Sequence, residues 1–347
     1  MSSLEEEATL PRGMESAPTS AATRRLVLAR GGVLTRFSGL GGAHHALLNH
    51  HQQGRFGSLE LLDVLEYPEQ TSAFGKIRQR WSKQPKRVRA YCQNHLGPND
   101  VLHITDQEQA HLTPPRSPRR PKVVVTVHDL FHLFPFEQRV VLTDGENAMG
   151  ETVVEVGEPR PGRVRRRDLS KLRKGLSRAD LLVCDSVFTR EVCRREFPDV
   201  EAITVPLGLD CEAYAPSGVP QRNSTFTMLF VGSSDPRKRL HFLFDLLQTT
   251  DEGLRQHSTL HVVGDQSQTA HILAKGLDME VIVHPRLNAE ALMRLRQEAD
   301  ILLFPSAAEG YGYPPIESMA AGCPVLCSDL PAHNELMPEG TCLPAGD

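Results

Sequence analysis

Short apolar runs alternate with helical patterns along almost the whole chain, and this narrows the possible folds further than any other feature. RLVLAR is followed by GGAHHALLNHHQQ, then DVLHIT, KVVVTVHDL, SKLRKGLSRA, DLLVCDS, FTREVCRREF and ITVPLG. Strand-length runs that are apolar throughout, separated by helices, read as βα units with a parallel sheet. The pattern stops at YAPSGVPQRNST, a Pro, Gly, Ser and Asn-rich stretch without period, which is a linker signature. It restarts with TMLFVG, KRLHFLFDLLQ, TLHVVGD, TAHILAKGL, EVIVHP, NAEALMRLRQEA, DILLFPS, PPIESMAAG and PVLCSD. The expected architecture is α/β, with two doubly wound domains at 24–215 and 226–347 joined by a linker at 216–225. Residues 1–23 lack periodicity and are expected to be a disordered tail. In open α/β sheets ligands bind beyond the carboxyl ends of the strands, so two such domains imply a cleft between those ends.

The composition allows this and excludes several alternatives. With 347 residues and 39% apolar content the chain can bury two cores. A formal charge of -4 gives no general reason to expect nucleic acid. Seven cysteines without a CxxC pair fit neither a disulfide framework nor a four-thiolate zinc site, so a reducing cytoplasm is expected. No apolar run is long enough to cross a bilayer, and the chain opens on SLEEEATLPRG rather than a basic region followed by an apolar one. Neither export nor membrane spanning is expected. His44, His45, His50 and His51 place no three ligands on one helix face, so no metal is expected. The region 137–167 shows little periodicity and reads as a loop insertion.

The stretch EGYGYPPIESMAAG puts Glu309 and Glu317 on either side of a glycine, tyrosine and proline knot, directly after DILLFPS. Pro315 suits the first helical position, Gly322 the end, and Glu317 the first turn. Gly310 and Gly312 let the backbone approach a ligand, and the helix start favours an anion. Glu317 could equally cap its own helix and Glu309 be a solvated loop acid. DPRKR, with Arg237, Lys238 and Arg239 after TMLFVG, places cations where a helix dipole is unfavourable to them, which suggests an anionic partner. VVVTVHD places His128 at a strand end, where Asp129 could fix its ring. His103 and His111 are weaker candidates.

Together these segments resemble retaining glycosyltransferase family 4. EGYGYPPIE looks like its E-x7-E signature, FVGSSDPRKRLHFLFDLL is similar to its strand, glycine turn and helix start, and VVVTVHDLFHLFPF is similar to its strand followed by His-Asp. SRADLLVCDSVFTREV, ITVPLGLDCEAY and AAGCPVLCSDLPAHNEL match in order, and FSGLGGAHHALL resembles its first glycine-rich loop. The resemblance implies a GT-B fold and transfer of a sugar, with retention, from a nucleoside diphosphate sugar to an acceptor hydroxyl. It implies that Arg237 and Lys238 hold the diphosphate, Glu309 the donor sugar, Glu317 the ribose, and the backbone of Gly310, Tyr311 and Gly312 the sugar and phosphate. Gly232 closes the strand turn, His128 lies near the anomeric carbon, and Gly41 and Gly42 approach the diphosphate and acceptor. GDP-mannose is the first expectation for the donor and a UDP-sugar the second. The acceptor is expected to be a glycan, a lipid-linked saccharide or a small molecule. No D-x-D pair occurs, so side-chain cations and a helix end would meet the leaving charge.

The family pattern is not complete. Ser233 stands where some members carry a further basic residue, and the chain stops at LPAGD, before the helices the resemblance implies. The run RVRRRDLSKLRKGLSR, with Leu169, Leu172 and Leu176 on one face, could dock on anionic lipid at the inner face of the membrane or simply pack on the first domain. A non-catalytic nucleotide-sugar binder would keep the same anion-binding residues. In an NAD-dependent oxidoreductase Gly39, Gly41 and Gly42 would need to follow the first strand in a tight turn, and several residues intervene.

Overall fold

The computed structural model describes residues 24–32, 39–67, 72–144, 147–216, 218, 225–265, 267–285 and 287–343. The expected tail and most of the expected linker lie outside these residues.

The first half contains β1 (Arg24–Gly32), α1 (Gly39–Gln52), β2 (Leu59–Tyr67), α2 (Ala73–Arg78), α3 (Gln84–His95), β3 (Val101–Ile104) and β4 (Lys122–Val127). It continues through β5 (Phe136–Asp144), β6 (Asn147–Val156), α4 (Arg163–Leu176), β7 (Leu181–Cys184), α5 (Val187–Glu196), β8 (Glu201–Thr204) and α6 (Cys211–Tyr214). Six strands form one sheet in the order β2-β1-β3-β4-β7-β8, all parallel.

The second half contains β9 (Phe226–Val231), α7 (Leu240–Thr249), α8 (Glu252–Gln256), β10 (Ser258–Val263), α9 (Ser267–Ala274), β11 (Glu280–His284) and α10 (Ala289–Glu298). It closes with β12 (Ile301–Phe304), α11 (Tyr313–Ala320), β13 (Val325–Ser328), α12 (Pro331–Asn334) and β14 (Cys342–Leu343). Its sheet, β11-β10-β9-β12-β13-β14, is again wholly parallel. Each sheet builds outward in one direction and then reverses, between β1 and β3 in the first half and between β9 and β12 in the second. The segments leaving β9 and β12 therefore diverge around a crevice, and these segments carry Arg237, Lys238 and Glu309.

The apolar runs form strands because crossover helices cover both faces of each sheet. Val27, Leu102, Val123, Val125 and Leu182 are buried in the first core. Two further cores, around Phe230 with Phe244 and around Leu302 with Phe304, lie on opposite faces of the second sheet.

One expectation needs correction. Within the expected loop, β5 and β6 pair as antiparallel strands. Their signal is brief: Val154 and Val156 are buried while Val153 and Glu155 are exposed, a two-residue period over only four positions. The buried pair packs with Phe131, Ala307 and Ala308, so these strands join the first half to the second. The leucine face of α4 takes the second of its two readings and packs on the first half. Leu172 and Leu176 are buried in the first core and Leu169 packs against it. Among the described residues no helix is long and apolar enough to cross a membrane.

Candidate functional site

The β9 strand ends at a point where two backbones touch. Gly232 N–H donates to Val263 O at 3.0 Å, and a Cβ on Gly264, at φ +145°, would stand 1.8 Å from the Gly232 carbonyl oxygen. Asp235 then caps a 3-10 turn, Pro236–Lys238, by accepting from Arg237 N at 3.0 Å. Arg239 follows at φ 55°, the single non-glycine at positive φ among the described residues, and α7 starts after it. The basic residues thus precede the helix instead of forming its first turn, which corrects the sequence reading.

This turn aims two cations at one carboxylate. Arg237 Nη1 lies 2.8 Å from Glu309 Oε2 and donates to Ala308 O at 2.8 Å. Lys238 Nζ lies 2.5 Å from Glu309 Oε1 and 4.7 Å from the centre of the Phe304 ring. Arg239 turns away, over the ring of Phe242. Burial alone would raise the Glu309 carboxyl, but Lys238 and Arg237 overcome it and hold the group at about 2. Burial draws Lys238 downward while Glu309 pulls it back. With two cations on one buried carboxylate, the ionised cluster is the resting state.

Past Glu309, Gly312 at φ +113° is the N-cap of α11, and Tyr313 with Pro314 opens the helix. Pro315 is therefore the third helical residue rather than the first, and Glu317 lies in the second turn. Glu317 Oε1 accepts from Tyr214 OH at 2.9 Å, and Oε2 pairs with the buried Arg296 of α10. Beside that carboxylate, burial and the Glu317 charge raise the Tyr214 hydroxyl above its usual range.

The same loop fastens the two halves. A Cβ on Gly310 would stand 2.0 Å from the carbonyl oxygen of His128, so only glycine permits this approach. The Gly310 carbonyl accepts from Ser186 Oγ at 2.7 Å and Thr189 Oγ1 at 3.2 Å. Tyr311 OH donates to Leu207 O at 2.7 Å and Tyr313 OH to Gly208 O at 3.0 Å. Glu335 accepts from Val187 N and Phe188 N, covering the start of α5.

On the first half, His128 Nδ1 lies 2.5 Å from Asp185 Oδ2, and Nε2 faces Thr105 O at 3.3 Å. Asp129, expected to fix the ring, instead accepts from Phe131 N within its own turn. His103 bonds Thr126 Oγ1, and burial lowers it to about 4. His111 donates to Arg80 O, and burial lowers it to about 3. Both rings are neutral structural groups. Gly41 and Gly42 lie in the first turn of α1, which follows β1. Sequence reasoning missed Asp185, Ser186, Thr189, Tyr214, Arg296 and Glu335. For Asp185 a signal existed, since DLLVCDS and VVVTVHD are neighbouring βα strands that end on an acid and a histidine.

Arg237, Lys238, Arg296, Glu309, Glu317 and Glu335 fall in a region that a family model matches, whereas His128, Asp185, Ser186, Thr189 and Tyr214 precede it. The profile of the family described as Glycosyl transferases group 1 matches residues 218–342. Residues 218–342 are a glycosyl transferases group 1 domain. The chain is 29% identical over 117 residues to the O-antigen chain mannosyltransferase RfbU of Salmonella typhimurium, covering 32% of each chain. It is 32% identical over 146 residues to the MMP alpha-(1->4)-mannosyltransferase of Mycolicibacterium hassiacum, covering 40% of this chain and 34% of the relative. The matches thus span roughly a third of the length of these curated relatives. Sucrose-phosphate synthase from Thermosynechococcus elongatus superposes with TM-score 0.66 at 16% identity, covering 93% of this chain and 86% of its own. HepE from Anabaena, in complex with UDP-glucose, superposes with TM-score 0.59 at 15% identity, covering 91% and 83%. The fold is GT-B, and the glycosyl transferases group 1 domain is its second half.

Proposed function

We propose that this protein is a glycosyltransferase that moves a sugar from a nucleoside diphosphate sugar to an acceptor hydroxyl. The observation that carries this reading is the buried Arg237–Lys238–Glu309 cluster at the crevice of a glycosyl transferases group 1 domain. Breaking the bond between the anomeric carbon and the diphosphate builds negative charge on the leaving group. Arg237, Lys238 and the start of α11 would meet that charge. When phosphate takes the two cations, Glu309 is released to accept from hydroxyls of the donor sugar. Glu317 would accept from the ribose hydroxyls; Tyr214 and Arg296 fix its plane and leave acceptor capacity on each oxygen. Backbone amides of Gly310, Tyr311 and Gly312 add contacts to sugar and phosphate, and Gly232 lets the β9 turn come close. His128 would lie at the reacting end, with Gly41 and Gly42 on the acceptor side.

The acceptor oxygen attacks the anomeric carbon from the face the diphosphate leaves, and its proton passes to the departing phosphate, so configuration is retained. No metal is needed in this scheme. The mannosyltransferase relatives favour GDP-mannose, and the UDP-glucose complex of HepE supports a UDP-sugar as the second choice. A glycan or lipid-linked acceptor fits these relatives. Peripheral contact with an anionic membrane at its cytoplasmic face would use the charged outer side of α4, since Leu172 and Leu176 are buried and Leu169 packs against the core.

A thermal-shift panel of GDP-, UDP- and ADP-sugars on the wild type, Lys238→Ala and Glu317→Ala tests the reading. One nucleotide sugar should raise the wild-type melting temperature and stabilise both variants less. Equal stabilisation of all three proteins, or of none, would sink the site. Sugar transfer with the stabilising donor then separates an enzyme from a binder.

A further inference from the structure

His128 and Asp185 follow residues that are paired across two parallel strands, Val127 of β4 and Cys184 of β7. One position beyond the sheet the two side chains therefore stand together, 2.5 Å apart at Nδ1 and Oδ2. Asp185 is 2% exposed, and its second oxygen has no hydrogen-bond partner among the described residues. The ring's other nitrogen faces the carbonyl of Thr105 at 3.3 Å. A carboxylate and a carbonyl can only accept, so each ring nitrogen carries a hydrogen and the ring is an imidazolium.

The surroundings agree. Asp106, beyond β3, and Asp129, beside the ring in sequence, face it together with Asp185, and His103 of β3 is neutral. Across the contact Arg237 faces Asp129, while Tyr311 and Tyr313, near Asp185, are held in their protonated forms. Burial opposes a charge on His128, but the hydrogen bond and charge of Asp185 outweigh it, so the ring titrates above the ordinary histidine value.

We infer that Asp185 is a positioning residue for sugar transfer: it holds His128 as a cation whose Nε2–H can leave the long Thr105 contact for an oxygen of the bound donor. The first half then supplies a third positive charge beside Arg237 and Lys238. A doubly protonated ring cannot take the acceptor's proton, so His128 is no general base, and that proton must pass to the departing phosphate. No bond to the ring forms or breaks.

The part of this inference that concerns catalysis rests on the proposed transferase activity, whereas the charge on the ring does not. Ring resonances of the full chain would be titrated by NMR without donor, using His128→Gln to assign the signal. His128 should titrate above the ordinary histidine value, and Asp185→Asn should lower that titration by about one unit or more. A ring that titrates at or below the ordinary histidine value, or a titration unmoved by Asp185→Asn, overturns the inference. Asp185→Glu keeps the charge and should keep the high titration, which guards against a misfolded amide variant. With the stabilising nucleotide sugar, the alkaline limb of kcat should move down in Asp185→Asn by the same amount, with KM within about threefold. An unmoved limb overturns the positioning role even if the ring titrates as expected. A protein that transfers nothing but shows the ring titration would instead count against the transferase reading.

Discussion

The two walls of the crevice hold their charges by opposite means. On the second half, two cations converge on one buried carboxylate, and Glu309 is forced to stay ionised down to about pH 2. On the first half, one buried carboxylate is devoted to one imidazole, and Asp185 forces His128 to stay protonated above its ordinary range. The second wall is a cluster that an anionic ligand can take apart by replacing Glu309. The first is a dyad that a ligand leaves intact. Ligand exchange thus belongs to the second wall and fixed electrostatics to the first.

That contrast can be broken most decisively by activity. Lys238→Ala should lower kcat for sugar transfer by about 10²–10³-fold, the usual cost of one preorganised donor, while His128→Gln should cost less. If the His128 variant proves the more damaged, the assignment of the walls is reversed. The next effect is structural. Gly310→Ala drives a Cβ into the His128 carbonyl, a backbone collision that no rotamer relieves. A loss of about 1–3 kcal/mol in urea unfolding is expected, and an unchanged midpoint would show that the halves are not held this closely.

The pH dependence sharpens the comparison because its sign differs between the walls. The carboxyl of Glu309 is lowered from 4.5 to about 2, so its stabilisation is present above pH 4.5 and is lost as the pH falls through about 2. His128 is raised above 6.5, so its stabilisation is full below that value and disappears as the pH rises through its folded titration. Glu309→Gln should therefore differ in stability from wild type at pH 5 and converge with it near pH 2. The His128→Gln gap should instead close on the alkaline side, and matching profiles for the two variants would erase the distinction. The smallest effect is expected for Ser186→Ala, which removes the α5 cap and one bond to the Gly310 carbonyl, about 1 kcal/mol in the same unfolding assay.

The second wall was far more legible in the sequence than the first. Strand periodicity located both sheets, and the residues leaving β9 and β12 stand in short contiguous stretches whose chemistry is plain: DPRKR and EGYGY. What those stretches could not reveal is that Arg237 and Lys238 would bind Glu309 itself, because that meeting depends on β9 and β12 being neighbours across the reversal of strand order. The His128–Asp185 pair, 57 residues apart, is signalled only by two strand ends that carry a histidine and an acid, for a similar reason. The nearer Asp129 looked the better partner, and only the register of β4 on β7 selects Asp185. The pairing of β5 with β6 was missed because its alternation is too brief to stand out from a loop. The start of α11 was misplaced because Pro315 can sit at several first-turn positions, and the left-handed turn at Gly312 is what decides.

A single peptide unit joins the two walls. Glu309 gives its side chain to the cations of the second half, and the next residue gives its carbonyl to Ser186 and Thr189 of the first. Filling the crevice and closing the halves are consequently one coupled equilibrium. Whatever factor closure adds to a ligand's affinity, that ligand must return to the population of closed molecules. A substitution in α5, remote from any phosphate, would then appear in a titration as weaker binding with every contact to the ligand still in place.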